Sequence, residues 1–162
     1  MNIFYLSSCP QEAAEAHSDK HCVKMILESA QMLSTAHREL DGDVPDILYK
    51  STHKNHPSTI WVRSSKQHYD WLFRLFRMLS AEYSIRYSNG EFKVHKTWDK
   101  LGKLLETAPK NIVDNGFVPP PQCMPDHCKK SDTIDAYRNY YMIEKANIST
   151  WNYTNKPKWW SL

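Results

Sequence analysis

Residues 17–38 read HSDKHCVKMILESAQMLSTAHR and contain no proline or glycine, which predicts one long helix that continues to Leu40. Ser18 or Asp19 is expected to cap its N-terminus, and Gly42 to end it in a left-handed conformation. Such a helix is normally buried, because most of its surface is apolar. The broad apolar face consists of Val23, Ile26, Leu27, Ala30, Leu33 and Leu40, and Met25, Met32 and Ala36 extend it.

A narrow polar stripe interrupts this apolar surface. Because an unpaired buried charge is costly, we expect the stripe to face a cleft, with Glu28 at its centre. A carboxylate there can act as a general base or stabilise developing positive charge, while His21 and Lys24 orient or polarise a substrate. The same pattern also fits an ordinary solvent-exposed face. The stripe consists of His17, His21, Lys24, Glu28, Gln31 and Thr35.

The whole chain predicts a mainly α fold, a single-domain helical bundle over residues 1–162. A short extended segment at residues 2–6 comes first, as a strand or as a segment packed into the core. Basic residues, among them Arg86, flank the apolar stripe of the second long helix. We expect most of them to be solvated. The remaining predicted elements are a helical turn at 10–15, a helix at 58–87 with a break at 64–65, helices at 92–105 and 133–150, and a long Pro-rich loop at 107–131.

Composition limits the possible environments and partners. The chain carries a net charge of +3, and aromatic residues make up 12% of it, which permits nucleic-acid binding without requiring it. No apolar run approaches the roughly 20 residues of a membrane span, and the N-terminus lacks the features of a signal peptide. We therefore expect a cytoplasmic protein without a membrane partner, whose ligand is DNA or a nucleotide. The sequence predicts no particular oligomeric state.

The densest polar cluster, YKSTHKNHP at residues 49–57, lies in the loop after the long helix. Since the next helix is predicted to start directly after it, its backbone N–H groups favour anions and phosphates. We expect this loop to hold phosphate together with basic groups elsewhere. The predicted nucleic-acid and phosphate contacts are Lys24, Lys50, His53, Lys54, His56, His95 and Lys96.

Metal ligation is a further possible use of the histidines and cysteines. Cys123 and the pair His127-Cys128 resemble half a zinc site, but no second Cys/His pair at zinc-finger spacing accompanies them. No HExxH signature is present either. We therefore expect neither a metal nor another cofactor. Two other ligand sets are conceivable. One consists of His53, His56 and His95 with Glu28 or Asp19, and the other is the pair His17 and His21.

Two H-x-[ST] elements, which begin at His56 and His95, favour an alternative function. Such a pair is typical of two-histidine phosphoesterases, in which one histidine acts as base and the other as acid. The alternative is thus a phosphodiesterase or binding protein for small or cyclic nucleotides. A non-enzymatic module that sequesters a nucleotide or binds a host protein is also compatible with the sequence.

The spacing of seven residues from His21 to Glu28 resembles that of the small pyrimidine-dimer DNA glycosylases of the phage endonuclease V type. The stretch DKHCVKMILESAQMLSTAHR is also similar to uncharacterised phage proteins associated with that family. The aromatic and basic helix at 58–87 and the tail Lys158-Trp159-Trp160 are similar to the second long helix and the C-terminus of the family.

The resemblance implies an all-α domain whose N-terminus threads into the middle of the molecule. It also implies a DNA N-glycosylase for damaged or modified bases with AP-lyase activity, in the host cytoplasm if a phage encodes it. In that family the N-terminal amine attacks the sugar C1′, a Schiff base forms with the help of the Glu, and β-elimination nicks the strand. Met1, His21 and Glu28 would then be the catalytic residues. We expect Met1 to be retained, because Asn2 is not a small residue.

Overall fold

The computed structural model describes residues 1–161, which form α-helices, two short 3₁₀ turns and irregular segments without any strand. The mainly α fold is therefore confirmed, and the 2–6 segment packs into the core instead of forming a strand. That one domain spans residues 1–162 stays a prediction. The helices are α1 (Pro10–Ala16), α2 (Asp19–Asp41), α3 (Pro57–Ser64), α4 (Lys66–Tyr87), α5 (Lys96–Leu105) and α6 (Thr133–Glu144), and the 3₁₀ turns are Asp126–Cys128 and Ala146–Ile148.

Helix α2 is the centre of the bundle and packs against α3, α4 and α5. It ends as predicted at Gly42, which has a φ of 74°. One assignment on its apolar face is wrong: Leu27 is 39% exposed. The buried face is rotated toward Cys22, Met25 and Ser29, and Sγ of Cys22 lies 3.7 Å from the carbonyl oxygen of Leu79 on α4.

The ends of the other helices follow their local chemistry. The predicted break at 64–65 is confirmed, since Ser65 is extended (φ −155°, ψ 143°) and separates α3 from α4. The last helix ends at Glu144, earlier than predicted, because Lys145 leaves the helical conformation and a 3₁₀ turn follows. Helix α5 begins only at Lys96, where His95 supplies an N-cap.

A buried ion-pair network around Arg86 fixes the N-terminus of α2. The guanidinium, on a residue only 3% exposed, contacts Asp19 at 3.3 Å and Glu82 at 2.9 Å. It also donates to the backbone carbonyls of Glu15 and His17. Arg86 is therefore not solvated as expected, because it satisfies the groups where α1 gives way to α2.

The prediction that the side chain of Ser18 or Asp19 caps α2 is wrong, because Asp19 takes part in the Arg86 network instead. Ser18 occupies the N-cap position without a capping hydrogen bond. The carboxylate of Asp19 instead binds Arg86 and accepts a hydrogen bond from the backbone of Asn152 at 2.6 Å. The backbone N–H of Asp19 donates to Thr150, so the segment after α6 closes this end of the helix.

The first residues of the chain run through the core. Ile3 to Leu6 are at most 5% exposed. Phe4 stacks on the ring of His21, with the ring centroids 4.5 Å apart, and meets Tyr141 of α6 edge-on. This packing places the chain terminus against the middle of α2. None of the helices within residues 1–161 combines the length and apolarity that crossing a membrane requires.

Candidate active site

A cleft of about 290 Å³ lies where the N-terminal segment passes between α2 and α6. Its walls combine charged groups with aromatic rings. The aromatic side comes from Phe4 and Tyr140. The polar lining comes from Met1, Asn2, His21, Lys24, Glu28 and Lys145.

Glu28 stands at the centre of this cleft, surrounded by nitrogen atoms. Its Oε2 accepts a hydrogen bond from the backbone N–H of Asn2 at 3.2 Å and lies 3.7 Å from the α-amino nitrogen of Met1. Its Oε1 lies 3.4 Å from Nζ of Lys24. The carboxylate is mostly shielded from solvent, whereas the lysine side chain is 62% exposed. The geometry thus pairs an α-amine with a carboxylate inside a small cleft.

The side chain of Asn2 holds the chain terminus in place. Its Nδ2 donates to the carbonyl of Cys123 at 3.0 Å, and its Oδ1 accepts from the hydroxyl of Tyr137 at 2.9 Å. These bonds connect the terminus to the Pro-rich loop and to α6. The position of the amine is therefore determined by residues distant in sequence.

His21 forms a neutral wall of the cleft. Burial lowers the pKa of its ring to about 3, and the nearby charges of His17, Lys145 and Lys24 add to this effect. Its Nδ1 lies 2.6 Å from the hydroxyl of Tyr141, whose pKa burial raises. When the neutral hydroxyl donates to Nδ1, the imidazole keeps its proton on Nε2. His21 can therefore act as a fixed hydrogen-bonding group near Glu28.

Only some residues of the predicted polar stripe on α2 line the cleft. His21, Lys24 and Glu28 line the same cleft, as expected. His17 does not, because α2 begins only at Asp19, and His17 is a fully buried residue between α1 and α2. Its Nδ1 hydrogen-bonds the carbonyl of Ala13 at 2.6 Å, and burial lowers its pKa to about 4.

The polar loop at 49–57 runs beside the C-terminal half of α2. The backbone of Thr52 donates to Thr35 Oγ1 at 3.2 Å. Burial lowers the pKa of His56, the charge of the Met1 amine lowers it further, and the charge of Glu28 opposes both. The charges of the amine and the carboxylate thus act on His56 in opposite directions. Lys50, His53 and Lys54 are exposed on this loop, and Nζ of Lys54 lies 3.8 Å from Glu39.

Both H-x-[ST] elements are helix N-caps. His56 Nδ1 accepts from the N–H of Ser58 at the start of α3, and His95 Nδ1 accepts from the N–H of Thr97 at the start of α5, each at 3.2 Å. His95 and Lys96 line a second cleft, next to Val23 and Tyr83. The two histidines thus belong to different helix ends, and capping accounts for the sequence pattern.

Sequence analysis missed the contribution of α6 to the cleft. Lys145 lies over the ring of Tyr140, with Nζ 4.8 Å from the ring centroid, and both side chains face the cleft. The spacing of Tyr137, Tyr140 and Tyr141 was the available signal, since residues three and four apart share a helix face. Only the tertiary fold shows that this face meets the N-terminus.

Comparison with known protein families identifies the relationship. A family model described as pyrimidine dimer DNA glycosylase matches residues 1–98 of the 162. The chain belongs to this family. Membership implies a DNA glycosylase that acts on pyrimidine dimers in DNA repair, with DNA as the substrate. The resemblance seen in the sequence is thus confirmed.

The matched region contains Met1, His21, Lys24 and Glu28, whereas the α6 wall of the cleft lies outside it. No curated protein and no solved structure matches the chain.

Proposed function

We propose that this protein cleaves the glycosidic bond of one base of a pyrimidine dimer in DNA and then nicks the strand, with the Met1 amine as nucleophile and Glu28 as the catalytic carboxylate. The observation that supports this most directly is the 3.7 Å separation of the amine nitrogen and Glu28 Oε2 within the cleft. A terminal amine beside a carboxylate has both parts of an amine-based glycosylase: a nucleophile and a group that accepts its proton.

In the first step, the neutral amine of Met1 attacks C1′ of the damaged nucleotide. The new N–C1′ bond forms as the C1′–base bond breaks; the base takes that electron pair and acquires a proton, and the cyclobutane ring keeps it attached to the neighbouring pyrimidine. Glu28 accepts a proton from the amine as the attacking nitrogen becomes cationic, and its charge stabilises the positive charge that develops on the sugar. The C1′–O4′ bond then opens as Glu28 returns this proton to O4′, which leaves a protonated imine between Met1 and C1′ and an ionised Glu28.

In the second step, a C2′ proton is transferred to a base, and the 3′ phosphate leaves with the C3′–O electron pair. Glu28 is the carboxylate nearest to the imine nitrogen and is our candidate for this base. Hydrolysis of the imine by water then releases the product and restores the amine. His21 remains neutral throughout and orients the sugar or base by hydrogen bonding.

Basic side chains around the cleft would bind the phosphates of the duplex. Lys24 and Lys145 stand at the cleft itself. We expect Lys50, His53, Lys54 and His56 on the loop at 49–57, and His95 with Lys96 at the second cleft, to add further phosphate contacts. Contacts of this kind position a protein on DNA without reading its sequence. They therefore suit an enzyme that recognises a lesion in any sequence context.

The decisive experiment uses a duplex with one cyclobutane pyrimidine dimer and sodium borohydride, which reduces an imine to a stable amine. We expect the wild-type chain to cleave one glycosidic bond of the dimer, nick the strand and form a covalent adduct that peptide mapping locates at residue 1. An undamaged duplex serves as the control. Cleavage of the glycosidic bond without any adduct would overturn the amine mechanism, and no cleavage of that bond would overturn the proposed activity.

A matched variant separates the amine from the rest of the site. Three extra residues before Met1 move the terminal amine by up to about 10 Å and leave Glu28 and the cleft lining unchanged in sequence. We expect this extended chain to bind dimer-containing DNA but to lose the adduct and the cleavage of the glycosidic bond. Undiminished activity of the extended chain would contradict the role of the Met1 amine.

A further inference from the structure

A second cluster of chemically reactive side chains lies outside the cleft. His127, Cys128 and Glu144 each place one ligand atom within 4.8 Å of the others. His127 Nε2 donates to Glu144 Oε1 at 2.6 Å. The first two residues belong to the 3₁₀ turn at Asp126–Cys128, and Glu144 is the last residue of α6. We propose that this cluster is a zinc site, which our sequence analysis did not expect because Glu144 lies far along the chain from the Cys/His pair.

The donor set suits this metal. Zinc binds imidazole nitrogen, thiolate sulfur and carboxylate oxygen, mostly in tetrahedral geometry. With ordinary zinc–ligand bonds, the donor atoms of such a site lie about 3.3 to 3.6 Å apart. The His127–Glu144 pair would have to open by less than about 1 Å to admit the ion. Three protein ligands leave the fourth position to water, and the Cys128 thiol gives up its proton to solvent when the Zn–S bond forms.

The backbone around the cluster is already ordered. The carbonyl of Cys128 accepts a hydrogen bond from Asn139 of α6 at 3.1 Å, which fixes the turn against the helix. The N–H of Cys128 donates to Pro125 at 2.9 Å. The side chain of Cys128 is buried, whereas that of His127 is 58% exposed and that of Glu144 is 37% exposed. An ion can therefore enter from solvent and meet the sulfur on the inner side.

The position of the site gives it a structural role. A bound ion would tie the end of the Pro-rich loop to the C-terminal end of α6. Lys145, the residue after Glu144, lines the catalytic cleft, and the carbonyl of Cys123 in the same loop segment holds Asn2. Zinc would thus stabilise one wall of the cleft. This inference is independent of the proposed mechanism, since none of the three ligands takes part in it.

Cobalt titration of the full chain, after removal of metal with a chelator, tests the site. We expect one equivalent of Co²⁺ to produce a thiolate charge-transfer band and the visible bands of tetrahedral cobalt, both removed by excess Zn²⁺. Cys128→Ser should abolish the charge-transfer band, whereas Cys22→Ser, a change at an equally buried cysteine on α2, should keep it. No band at stoichiometric Co²⁺, or a band that persists in Cys128→Ser, would overturn the proposal.

Two further ligand variants test the site even if the cysteine variant does not fold. His127→Ala and Glu144→Gln change exposed side chains and should weaken Co²⁺ binding at least tenfold, while Glu106→Gln should not. At a hundredfold excess over its dissociation constant, Zn²⁺ should raise the Tm of the wild type by about 5 to 10 °C. Equal shifts in the wild type and His127→Ala would count against the site.

Discussion

The α-amino nitrogen of Met1 lies 3.7 Å from Oε2 of Glu28, and the backbone nitrogen of Asn2 lies 3.2 Å from the same oxygen. The first two nitrogens of the chain therefore meet one carboxylate on the central helix. Ile3–Leu6, buried in the core, bring the terminus to this point. If Met1 were removed, the new amine of Asn2 would already lie beside Glu28. The arrangement thus provides an amine at the carboxylate in either form of the terminus.

Replacing Glu28 by Gln should strongly slow cleavage of the glycosidic bond in dimer-containing DNA while leaving DNA binding intact. The amide keeps the size of the side chain but cannot accept the amine proton or stabilise a cationic sugar. General acid–base catalysis typically contributes about 10²–10⁴-fold, so we expect a single-turnover rate lower by that factor. Glu91→Gln, at an exposed loop position, is the control. A rate within threefold of wild type, about 0.7 kcal/mol in the barrier, would exclude Glu28 from the chemistry.

His56→Asn and His95→Asn form a matched pair, because each replaces an N-cap histidine by a residue that also caps helices well. The charges of the amine and of Glu28 act on His56, whereas burial alone shifts the pKa of His95, so replacing His56 should slow cleavage of the glycosidic bond more than replacing His95 does. Single-turnover kinetics on the dimer substrate provide the comparison. The alternative phosphodiesterase predicts another result: both variants would lose hydrolysis of a cyclic nucleotide to a similar degree.

The long helix and its chemistry could be predicted from sequence, and the reasons are local. The absence of proline and glycine between His17 and Leu40, with Gly42 after them, predicts α2 to within two residues at each end. Helical spacing alone places His21 and Glu28 on one face. Burial was less predictable, since Leu27 is exposed and Ser29 is buried. Which side of a helix packs depends on its neighbours as well as on its own pattern.

The rest of the site depends on contacts between distant segments, for which the sequence carries no local signal. Tyr140 and Lys145 reach the cleft only because α6 packs on the N-terminal segment. The H-x-[ST] elements suggested acid–base chemistry, yet the same residue types at the same spacing cap helices. Arg86 was expected to be solvated, because nothing in the sequence of α4 shows that Asp19 packs against it.

Arg86→Met should destabilise the fold strongly. The substitution leaves the carboxylates of Asp19 and Glu82 without their buried counter-charge and the carbonyls of Glu15 and His17 without a donor. Breaking a buried ion pair from one side costs about 3–5 kcal/mol. Urea unfolding of the variant measures this loss.

Arg77→Met, an exposed change on the same helix, should alter the unfolding free energy by no more than about 0.5 kcal/mol. A loss below about 1 kcal/mol in Arg86→Met would show that the network contributes little to stability.

Stability should fall as the pH drops from neutral toward 4, and His17 should cause a measurable part of the fall. Burial, together with the charge of Arg86, lowers its pKa in the folded state to about 4, against about 6.5 in an unfolded chain. Between these values the unfolded chain binds a proton that the folded chain does not bind, so stability present above pH 6.5 is lost on acidification. His21, with a folded pKa of about 3, acts in the same direction.

The variant His17→Gln isolates this contribution, because an amide can still donate to the carbonyl of Ala13 but does not titrate. From pH 7 to pH 5, the wild type should lose about 2 kcal/mol more unfolding free energy than His17→Gln. Urea unfolding at both pH values measures the difference. The control is His53→Asn, at an exposed position whose φ of 46° asparagine tolerates, and it should behave like the wild type. Equal losses in the wild type and His17→Gln would mean that His17 titrates normally in the folded protein.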